Sequence, residues 1–270
     1  MKFCVLSSGS KANVSLIEHE GSYLLLDCGL PLRVLEERLL RVGVDPQKIS
    51  AVLISHEHQD HIRTVARFSN RYRVPVYCNR GAKKFLKTVY SSELFTTGTV
   101  FSLGKLEIET VKISHDAHDP VGFIFRGSGS QLAHITDLGT VNDGVETALM
   151  NSDAVVLESN HDPDLLWGCE YPWHVKNRIS SSYGHLSNGA AAALLARTIS
   201  DRTQVVILAH LSERSNNPEL ALSTVREAIP SDLQIDLRCA SVHQETGWID
   251  VKPSISINST AQIELSVAVG

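Results

Sequence analysis

Six consecutive residues constrain this chain more than any others, because they hold three histidines and two carboxylates. They follow, after Ser55, the short apolar stretch 51–54, which is predicted to be a buried strand. The six residues are His56-Glu57-His58-Gln59-Asp60-His61. His56 and His58 are two residues apart, and they share a face only if the backbone there is extended. Imidazole and carboxylate groups are common metal ligands, so this cluster at a strand end predicts a metal site.

The spacing within the cluster argues for two metal ions. The zinc-protease pattern H-E-x-x-H is excluded, because the residue four positions after His56 is Asp60. The chain must turn after His58, so that Asp60 and His61 come from a loop or a first helical turn. Two ligand pairs with different directions suit two adjacent ions better than one. The alternative is a polar cluster at the surface, but protonated neighbours would repel one another there without a cation.

Length and composition are those of an ordinary globular protein. The chain has 270 residues, 43% of them hydrophobic and 20% charged, which is enough to bury a sizeable core. No apolar run approaches the roughly 20 residues of a membrane span, and the first ten residues do not resemble a signal peptide. The five cysteines are widely spaced and include no C-x-x-C pair, which favours reduced thiols. We therefore expect a cytoplasmic protein with no membrane contact.

Strand and helix patterns are mixed along the whole chain, and several predicted strands end in a carboxylate or histidine. The predicted helices cover residues 32–42, 62–72, 82–89, 145–150, 186–199 and 218–229. This mixture predicts two sheets packed face to face with helices outside. We expect one domain over residues 1–252 and a C-terminal tail of uncertain order over residues 253–270.

The sequence H-x-H-x-D-H after an apolar strand resembles the central motif of the metallo-β-lactamase fold hydrolases. The resemblance covers about residues 2–251 and implies an α+β fold, a four-layer αββα sandwich with two metal ions at one edge. It implies His56, His58 and His115 as ligands of one ion, Asp60, His61 and His210 as ligands of the other, and Asp137 as a bridge. His115, Asp137 and His210 each lie just past a predicted apolar strand, which agrees with this assignment. His118 is the alternative to His115.

The resemblance also implies a mechanism of metal-assisted hydrolysis. Asp27 ends another predicted strand and is expected to orient a ligand histidine, as metal sites generally require. Asp27, Asp60 and His185 are the residues expected to serve catalysis. Ligands without cysteine fit zinc, manganese or iron, and the sequence does not choose among these. Two such ions about 3.5–4 Å apart make hydroxide available near neutral pH and stabilise displacement at phosphorus. The same pair suits attack on a thioester or a lactam.

Two further motifs resemble those of phosphodiesterase members, especially the YycJ-type DNA exonucleases. The sequence G-H-L-S-N at 184–188 places His185 at a predicted helix start, where backbone N–H groups favour an anion. The alternative role for His185 is to cap that helix. The sequence S-S-G-S-K-A-N at 7–13 matches the S-S-G-S-x-x-N loop of that family, with a tight turn as the alternative. This match implies that Ser7, Ser8, Ser10 and Asn13 bind a phosphate.

A basic segment follows the metal motif, although the whole chain has a net charge of −5. From Arg63 to Lys87 there are eight basic residues and no acidic one. Arg63, Arg67 and Arg71 recur at four-residue spacing, so on one helix they would form a stripe. A basic surface beside a metal cluster indicates a polyanion substrate, and a solvated helix face is the alternative.

These features together predict a metal-dependent phosphodiesterase that uses two divalent ions. Its predicted activity is that of a 5′-to-3′ exonuclease on DNA. The alternatives are a hydrolase of small phosphodiesters or thioesters, and a metal-binding regulatory protein without turnover. Neither the metal nor the oligomeric state follows from the sequence.

Overall fold

Two seven-stranded sheets form the centre of the computed structural model, which describes residues 1–254. The strands of the first sheet are β1 (Lys2–Ser7), β2 (Val14–His19), β3 (Ser22–Leu26), β4 (Ile49–Leu53), β5 (Pro75–Cys78), β6 (Ser91–Leu94) and β14 (Ile249–Asp250). Those of the second sheet are β7 (Val100–Leu103), β8 (Leu106–Lys112), β9 (Val121–Gly127), β10 (Ser130–Ile135), β11 (Ala154–Glu158), β12 (Val205–Ala209) and β13 (Asp236–Cys239). Their orders are β14-β1-β2-β3-β4-β5-β6 and β13-β12-β11-β10-β9-β8-β7.

Helices cover the outer faces of both sheets. They are α1 (Leu32–Arg41), α2 (Gln59–Ile62), α3 (Val65–Tyr72), α4 (Arg80–Lys83), α5 (Asp143–Met150), α6 (Pro163–Gly168), α7 (Trp173–Ile179), α8 (Asn188–Thr198) and α9 (Pro218–Ala228). Leu35 of α1 and Phe68 of α3 belong to the apolar cluster on the outside of the first sheet. Leu149 of α5, Leu195 of α8 and Val225 of α9 belong to the corresponding cluster on the second sheet. The layers are therefore αββα, as predicted.

Strand β11 shows why the central strands are apolar along their whole length. Ala154 and Val156 point into the core between the sheets, whereas Val155 and Leu157 point into the core beneath the helices. Both faces of this strand are covered, so alternation of polar and apolar residues is lost. Burial on two sides explains the continuous apolar run that ends at Glu158.

Each sheet contains a block of parallel strands, and these blocks position the polar residues. Strands β3 to β6 are parallel in the first sheet, and strands β10 to β13 are parallel in the second. The carboxyl ends of parallel strands meet at one edge of a sheet, where ligands commonly bind. Residues that directly follow β3, β4, β10, β11 and β12 therefore lie at such an edge.

One predicted helix is wrong, and three elements were not predicted. Residues 82–89 were expected to be helical, but α4 ends at Lys83 and the chain then becomes non-helical. Tertiary structure overrides the helical pattern, because the chain after α4 must run back across the sheet so that β6 can pair with β5. Asn70 of α3 donates to the carbonyl of Thr88, which fixes the segment in its non-helical path. The unpredicted elements are β6, α6 and α7.

The predicted boundary between a domain of residues 1–252 and a tail of residues 253–270 stays a prediction. Only Pro253 and Ser254 of that tail belong to the described part of the chain, and residues 255–270 lie outside it. The backbone N–H of Ser254 donates to the carboxylate of Asp153 at 3.0 Å. Within residues 1–254, no helix has the length and apolar character that a membrane crossing requires.

Candidate metal centre

Seven histidine and aspartate side chains converge where the parallel strands of the two sheets end. They are His56, His58, Asp60, His61, His115, Asp137 and His210. One ligand atom from each of His56, His58 and His115 lies within 4.8 Å of the other two. The same limit holds for the group of Asp60, His61 and His210. These are the two ligand groups that the sequence predicts.

Asp137 lies between the two groups. Its Oδ1 is 3.7 Å from Nε2 of His115 and 3.3 Å from Nε2 of His210. Its Oδ2 is 3.3 Å from Nε2 of His61. Oδ1 therefore lies near a member of each group and Oδ2 near the second group, a position that suits a bridging ligand.

The turn between the two ligand pairs of the central motif is set by α2. His58 is the N-terminal cap residue of this helix and has extended backbone, with φ −63° and ψ 147°. The helix then begins at Gln59, so that Asp60 and His61 leave the chain in a different direction. The change from strand end to helix therefore divides the motif into two pairs, as expected from its spacing.

A close backbone contact holds this turn against the end of β3. The backbone N–H of Cys28 donates to the carbonyl of His61 at 2.6 Å, and that of Asn13 donates to the carbonyl of Asp60 at 2.8 Å. A Cβ atom at Gly29 would lie 1.6 Å from the carbonyl oxygen of Asp60. Only a glycine allows the chains to approach this closely.

Three polar residues at strand ends have left-handed backbone. They are Asp27 (φ 60°), Asp137 (φ 59°) and His210 (φ 56°). Residues other than glycine rarely adopt this conformation, which costs about 1–3 kcal/mol and is concentrated at functional sites. Surrounding contacts compensate at His210, where the backbone N–H donates to Oγ of Ser8 at 2.8 Å. The strain turns these side chains away from the strand direction and into the cluster.

Asp27 orients His61. The Asp27 carboxylate is buried and accepts hydrogen bonds from the backbone N–H of Ser55 (2.9 Å), Oγ of Ser55 (2.7 Å) and Nδ1 of His61 (2.8 Å). Since Nδ1 of His61 carries the donated proton, Nε2 is the nitrogen that faces the cluster. Burial lowers the pKa of His61 and the nearby carboxylates of Asp137, Asp27 and Asp60 raise it, with a net pKa well above its ordinary value. Carboxylates that stabilise a proton here would stabilise a metal cation in the same way.

Glu158 has the equivalent position on the second sheet. It is fully buried at the end of β11, and its Oε1 lies 2.8 Å from Nδ1 of His185 and 3.2 Å from Nδ1 of His210. Its Oε2 accepts hydrogen bonds from the backbone N–H groups of Leu138 and Leu186. Burial raises the pKa of Glu158, whereas His185 and His210 lower it, and the result is about 2. Glu158 was not among the site residues predicted from the sequence, although a carboxylate after the apolar run 154–157 is visible there.

Several atoms of the cluster are buried without a hydrogen-bond partner. Among the described residues these include Nε2 of His56, Oδ2 of Asp137 and Nε2 of His210. Buried polar atoms rarely stay unsatisfied, and binding to a cation would satisfy all three. Burial, followed in size by the charge of His61, lowers the pKa of His56 well below its ordinary value, which keeps its imidazole neutral as a ligand must be. The residues present therefore fit divalent metal ions.

Three of the four residues predicted to bind a phosphate instead form hydrogen bonds within the protein. Oγ of Ser7 donates to the carbonyl of Ala12, and Oγ of Ser8 accepts from the backbone of His210. Nδ2 of Asn13 donates to the carboxylate of Asp60 at 3.1 Å. These three predicted phosphate-binding residues are buried. Their side chains are occupied within the protein, which corrects the expectation of direct phosphate contact for them.

A cavity of about 200 Å³ opens onto the cluster. It is lined by Ser10, His58, Asp60, Asp137, Asn160, Tyr171, Val175, Arg178, Ile179, His185, His210 and Ser212. Ser10 is therefore the one member of the predicted phosphate loop that reaches this cavity. A larger cavity of about 510 Å³ lies between β8, β9 and α5, but none of the seven converging side chains lines it.

His185 lies at the cavity and does not cap a helix. Helix α8 begins at Asn188, and its cap is Ser187, whose Oγ accepts from the backbone N–H of Ala190. The His185 ring stacks on that of His210, with centroids 5.1 Å apart and planes at 15°. His118, the alternative to His115, bonds through Nδ1 to the Glu57 carboxylate at 2.8 Å and is not part of the cluster.

The predicted arginine stripe is divided in the structure. Arg63, Arg67 and Arg71 are all exposed, but the helix is interrupted between α2 and α3. Arg63 and Arg67 line a cavity of about 120 Å³ together with Lys87. Arg71 lies 3.4 Å from the carboxylate of Glu36 and lines a different cavity. Only the first two arginines therefore share one basic groove.

Comparisons with known proteins agree on the type of fold. A family model described as a β-lactamase superfamily domain matches residues 22–211. The exodeoxyribonuclease YycJ of Bacillus anthracis is 34% identical over 235 residues, which are 85% of this chain and 89% of that protein. The exodeoxyribonuclease WalJ of Streptococcus pneumoniae serotype 2 is 34% identical over 243 residues, which are 87% and 90% of the two chains.

Solved structures show the same architecture at lower identity. The metallo-β-lactamase fold protein YhfI from Bacillus subtilis has a TM-score of 0.71 and 17% identity, and covers 90% of this chain and 98% of its own. The short form of human tRNase Z has a TM-score of 0.65 and 15% identity, with coverages of 93% and 100%. The four-layer fold predicted from the sequence is thereby confirmed.

Proposed function

We infer a nuclease function from family membership, since this chain belongs to the β-lactamase superfamily and within it to the family of the exodeoxyribonucleases YycJ and WalJ. We propose that it cleaves DNA from a strand end. Membership confirms the predicted class, a metal-dependent hydrolase of the nuclease type. The proposal goes further, to a 5′-to-3′ exonuclease that uses two divalent ions of zinc, manganese or iron. The five cysteines are free thiols, which supports the proposed cytoplasmic location.

The observation that carries this proposal is the convergence of seven ligand-type side chains with three orphaned buried atoms. In the proposed centre, His56, His58 and His115 would hold one ion. Asp60, His61 and His210 would hold the other, and Asp137 would serve as a ligand to both. When bound, two such ions supply a water of lowered pKa as nucleophile and neutralise charge on the reacting phosphate.

The neighbouring carboxylates fix the orientation of the proposed ligands. Asp27 holds the proton on Nδ1 of His61, which leaves Nε2 for an ion. The carbonyl of Gly184 has the same effect on His115, because it lies 3.1 Å from Nδ1 of that ring. Such partners set the tautomer and the ring orientation of ligand histidines. Asp27 therefore serves catalysis through His61 and not by contact with the substrate.

His185 is the proposed general acid. Its Nδ1 bonds to the buried carboxylate of Glu158, so Nε2 is the ring nitrogen left for a substrate in the cavity. A proton held on Nε2 can pass to the oxygen that leaves phosphorus, or stabilise the negative charge on that oxygen. A histidine outside the two ligand groups but at the same cavity has the position that this role needs.

The surface around the cavity supports a polyanion as substrate. Ser10 and Arg178 line the cavity itself, and Arg63, Arg67 and Lys87 line the separate basic groove. Arginine, lysine and hydroxyl groups are the usual partners of DNA phosphates. We therefore assign Ser10, Arg63 and Arg67 to substrate binding and expect Arg71, which pairs with Glu36, to contribute less.

The test is hydrolysis of end-labelled DNA and RNA, single- and double-stranded, with manganese or zinc added. We expect mononucleotides to be released from DNA, and a 5′ label to be released before a 3′ label. The inactive control is Asp60→Ala, purified and metal-loaded in the same way. Cleavage of bis-p-nitrophenyl phosphate without cleavage of DNA would contradict the proposal and favour the small-phosphodiester alternative. Faster release of a 3′ label would contradict the polarity.

A further inference from the structure

One arginine lines the cavity that opens onto the converging side chains. Among the described residues around this cavity, Arg178 is the one lysine or arginine, and it lies in the last turn of α7. Its side chain is 56% exposed. A guanidinium stays charged at every pH that a protein meets. Arg178 therefore supplies the one permanent positive charge that these lining residues offer to a molecule in the cavity.

The backbone of Arg178 is held against the segment that carries His185. The carbonyl of Ile179, the next residue, accepts from the backbone N–H of His185 at 2.9 Å. A Cβ atom at Gly184 would lie 2.2 Å from the carbonyl oxygen of Arg178, so the two chain segments touch here. The carbonyl of Gly184 in turn lies 3.1 Å from Nδ1 of His115. The end of α7 therefore has a fixed position beside the proposed general acid and a proposed ligand.

The carboxylate of Asp116 lies between the Arg178 side chain and the first group of histidines. Nε of Arg178 donates a hydrogen bond to Oδ2 of Asp116. The other carboxylate oxygen, Oδ1, is 3.3 Å from Nε2 of His115 and 3.8 Å from Nε2 of His58. One carboxylate therefore separates the guanidinium from the place proposed for the first ion. A surface ion pair contributes little to stability, so the position of this pair, and not its strength, argues for a role in binding.

The contact with Asp116 leaves one edge of the guanidinium unused. It occupies Nε, and within residues 1–254 neither Nη1 nor Nη2 of Arg178 has a hydrogen-bond partner. These two nitrogens form the end of the planar group, which can bind two oxygens of one phosphate at once. A guanidinium whose side is held by a carboxylate and whose end is free is therefore arranged to receive an anion.

We propose that Arg178 binds the phosphate that enters the cavity through its two Nη atoms, and that Asp116 is the positioning residue that holds the guanidinium for this contact. The inference rests on the proposed function and adds to it the residue by which the cavity selects a negatively charged substrate. A neutral thioester has no anionic oxygens to offer this edge. Neither Arg178 nor Asp116 was among the site residues predicted from the sequence.

Two dinucleotide probes that differ in one charge test this contact. The phosphorothioate dinucleotide of thymidine keeps the negative charge and resists cleavage, whereas the methylphosphonate dinucleotide is neutral at phosphorus. Binding of each probe to the metal-loaded full chain is measured by calorimetry. Arg178→Ala should raise the Kd of the charged probe about 10- to 100-fold, the size expected for a lost charge-assisted hydrogen bond. The Kd of the neutral probe and the metal content should stay near those of the wild type.

Asp116 is tested by a pair of variants. Asp116→Ala should raise the Kd of the charged probe several-fold, because the guanidinium is no longer held in place. Asp116→Asn should restore most of the affinity, because its amide oxygen can still accept from Nε of Arg178. Arg214→Ala is the matched control for the loss of one positive charge. Arg214 is exposed and lies over the Tyr171 ring, 5.1 Å from its centroid, but it does not line the cavity, so its loss should have little effect.

Each other result has a defined meaning. If the wild-type chain degrades DNA but Arg178→Ala weakens both probes equally or neither, the inference is overturned and the proposed function stands. An effect of Arg214→Ala as large as that of Arg178→Ala would also overturn it, because the general field and not a direct contact would then act. Loss of metal in Asp116→Ala would show that Asp116 acts on an ion and not on Arg178. A wild-type chain that neither binds the charged probe nor cleaves DNA would overturn the proposed function as well.

Discussion

The carboxylate of Glu158 accepts a hydrogen bond from Nδ1 of His185 at 2.8 Å. Glu158 is fully buried, and both of its oxygens are occupied by donors from the protein. A carboxylate satisfied in this way orients its partner instead of contacting a metal. The contact gives His185 a fixed direction at the cavity, although ligand-type atoms of His185, Glu158, Asp137 and His210 also lie within 4.8 Å of one another.

Replacement of His185 tests whether this residue acts as a general acid or as a metal ligand. His185→Ala should keep the metal content of the wild-type protein and lower phosphodiester turnover about 10²-fold or more, as expected for loss of a general acid or of charge stabilisation. Turnover of DNA and elemental analysis of the same preparation are the two measurements. Loss of metal would instead make His185 a ligand, and full activity would leave it without a catalytic role.

The purified, metal-loaded chain should contain close to two transition-metal ions. His58→Ala should remove about one ion, because it leaves the first group with two histidines, and Asp60→Ala should do the same for the second group. Elemental analysis of the three proteins measures this directly. His118→Ala is the matched control, since His118 is bonded to Glu57, and it should keep both ions. A wild-type content that stays at one ion would contradict a dinuclear centre.

The basic groove predicts a charge reversal that acts mainly on long substrates. Arg63→Glu with Arg67→Glu should weaken binding of DNA and flatten its salt dependence, because each lost phosphate contact removes about 0.7–0.9 from the log–log slope. Binding is measured as a function of salt concentration. Turnover of bis-p-nitrophenyl phosphate should fall far less than turnover of DNA. Arg226→Glu, an exposed position on α9, is the control. Equal losses on both substrates would indicate damage to the fold or to the metal centre.

The close contact at Gly29 predicts a strong effect from a single methyl group. In Gly29→Ala the new Cβ would lie 1.6 Å from the carbonyl oxygen of Asp60, so the backbone that carries Asp60 and His61 must move. We expect a loss of about 3 kcal/mol in the free energy of unfolding, measured in urea, together with weaker metal binding. Gly189→Ala is the control, because nothing lies within 4 Å of the added methyl group, and it should stabilise α8 by about 0.4–1 kcal/mol. Similar effects at both positions would contradict the proposed role of the contact.

His134 predicts a defined pH dependence of stability. Burial lowers the pKa of His134 from 6.5 to about 4, and its Nε2 lies 2.8 Å from Oγ of Ser15. Between these two pH values the unfolded chain binds a proton that the folded chain does not, so stability falls as the pH falls from 6.5 to 4. The contribution of this one residue to the change in the free energy of unfolding over that pH range should reach about 3 kcal/mol. Urea unfolding of the metal-free protein at several pH values should show that the free energy of unfolding depends less steeply on pH in His134→Gln than in the wild type. His174→Gln, at an exposed histidine, should have the slope of the wild type.

The convergence of these side chains was predictable because all of them lie at, or a few residues after, the end of an apolar strand, whereas their role as ligands stays a prediction. A histidine or aspartate after an apolar run is visible without any knowledge of how the strands are ordered. The role of Glu158 was not predictable in this way, because it depends on β11 lying between β10 and β12. Sheet order is decided by long-range pairing, which the local pattern does not contain.

The directions of side chains in loops could also not be predicted from the sequence. The motif at residues 7–13 gave no sign that Ser8 would bond to the backbone of His210, far along the chain, while Ser10 would face the cavity. The prediction of a helix over residues 82–89 was wrong for a related reason, since the pairing of β6 with β5 overrides the helical spacing. Helix α7 was not predicted, so the sequence gave no indication that Val175, Arg178 and Ile179 line the cavity.

The converging side chains come from both halves of the sandwich. His56, His58, Asp60 and His61 follow β4 of the first sheet, whereas His115, Asp137 and His210 follow strands of the second. An ion held by both sets would act as a cross-link between two layers that otherwise meet mainly through apolar side chains. Such a cross-link can form only after the sheets have docked, since its donors are separated by up to about 150 residues of chain. Metal uptake would then report the last stage of folding, and chelation would weaken the sandwich at this edge first.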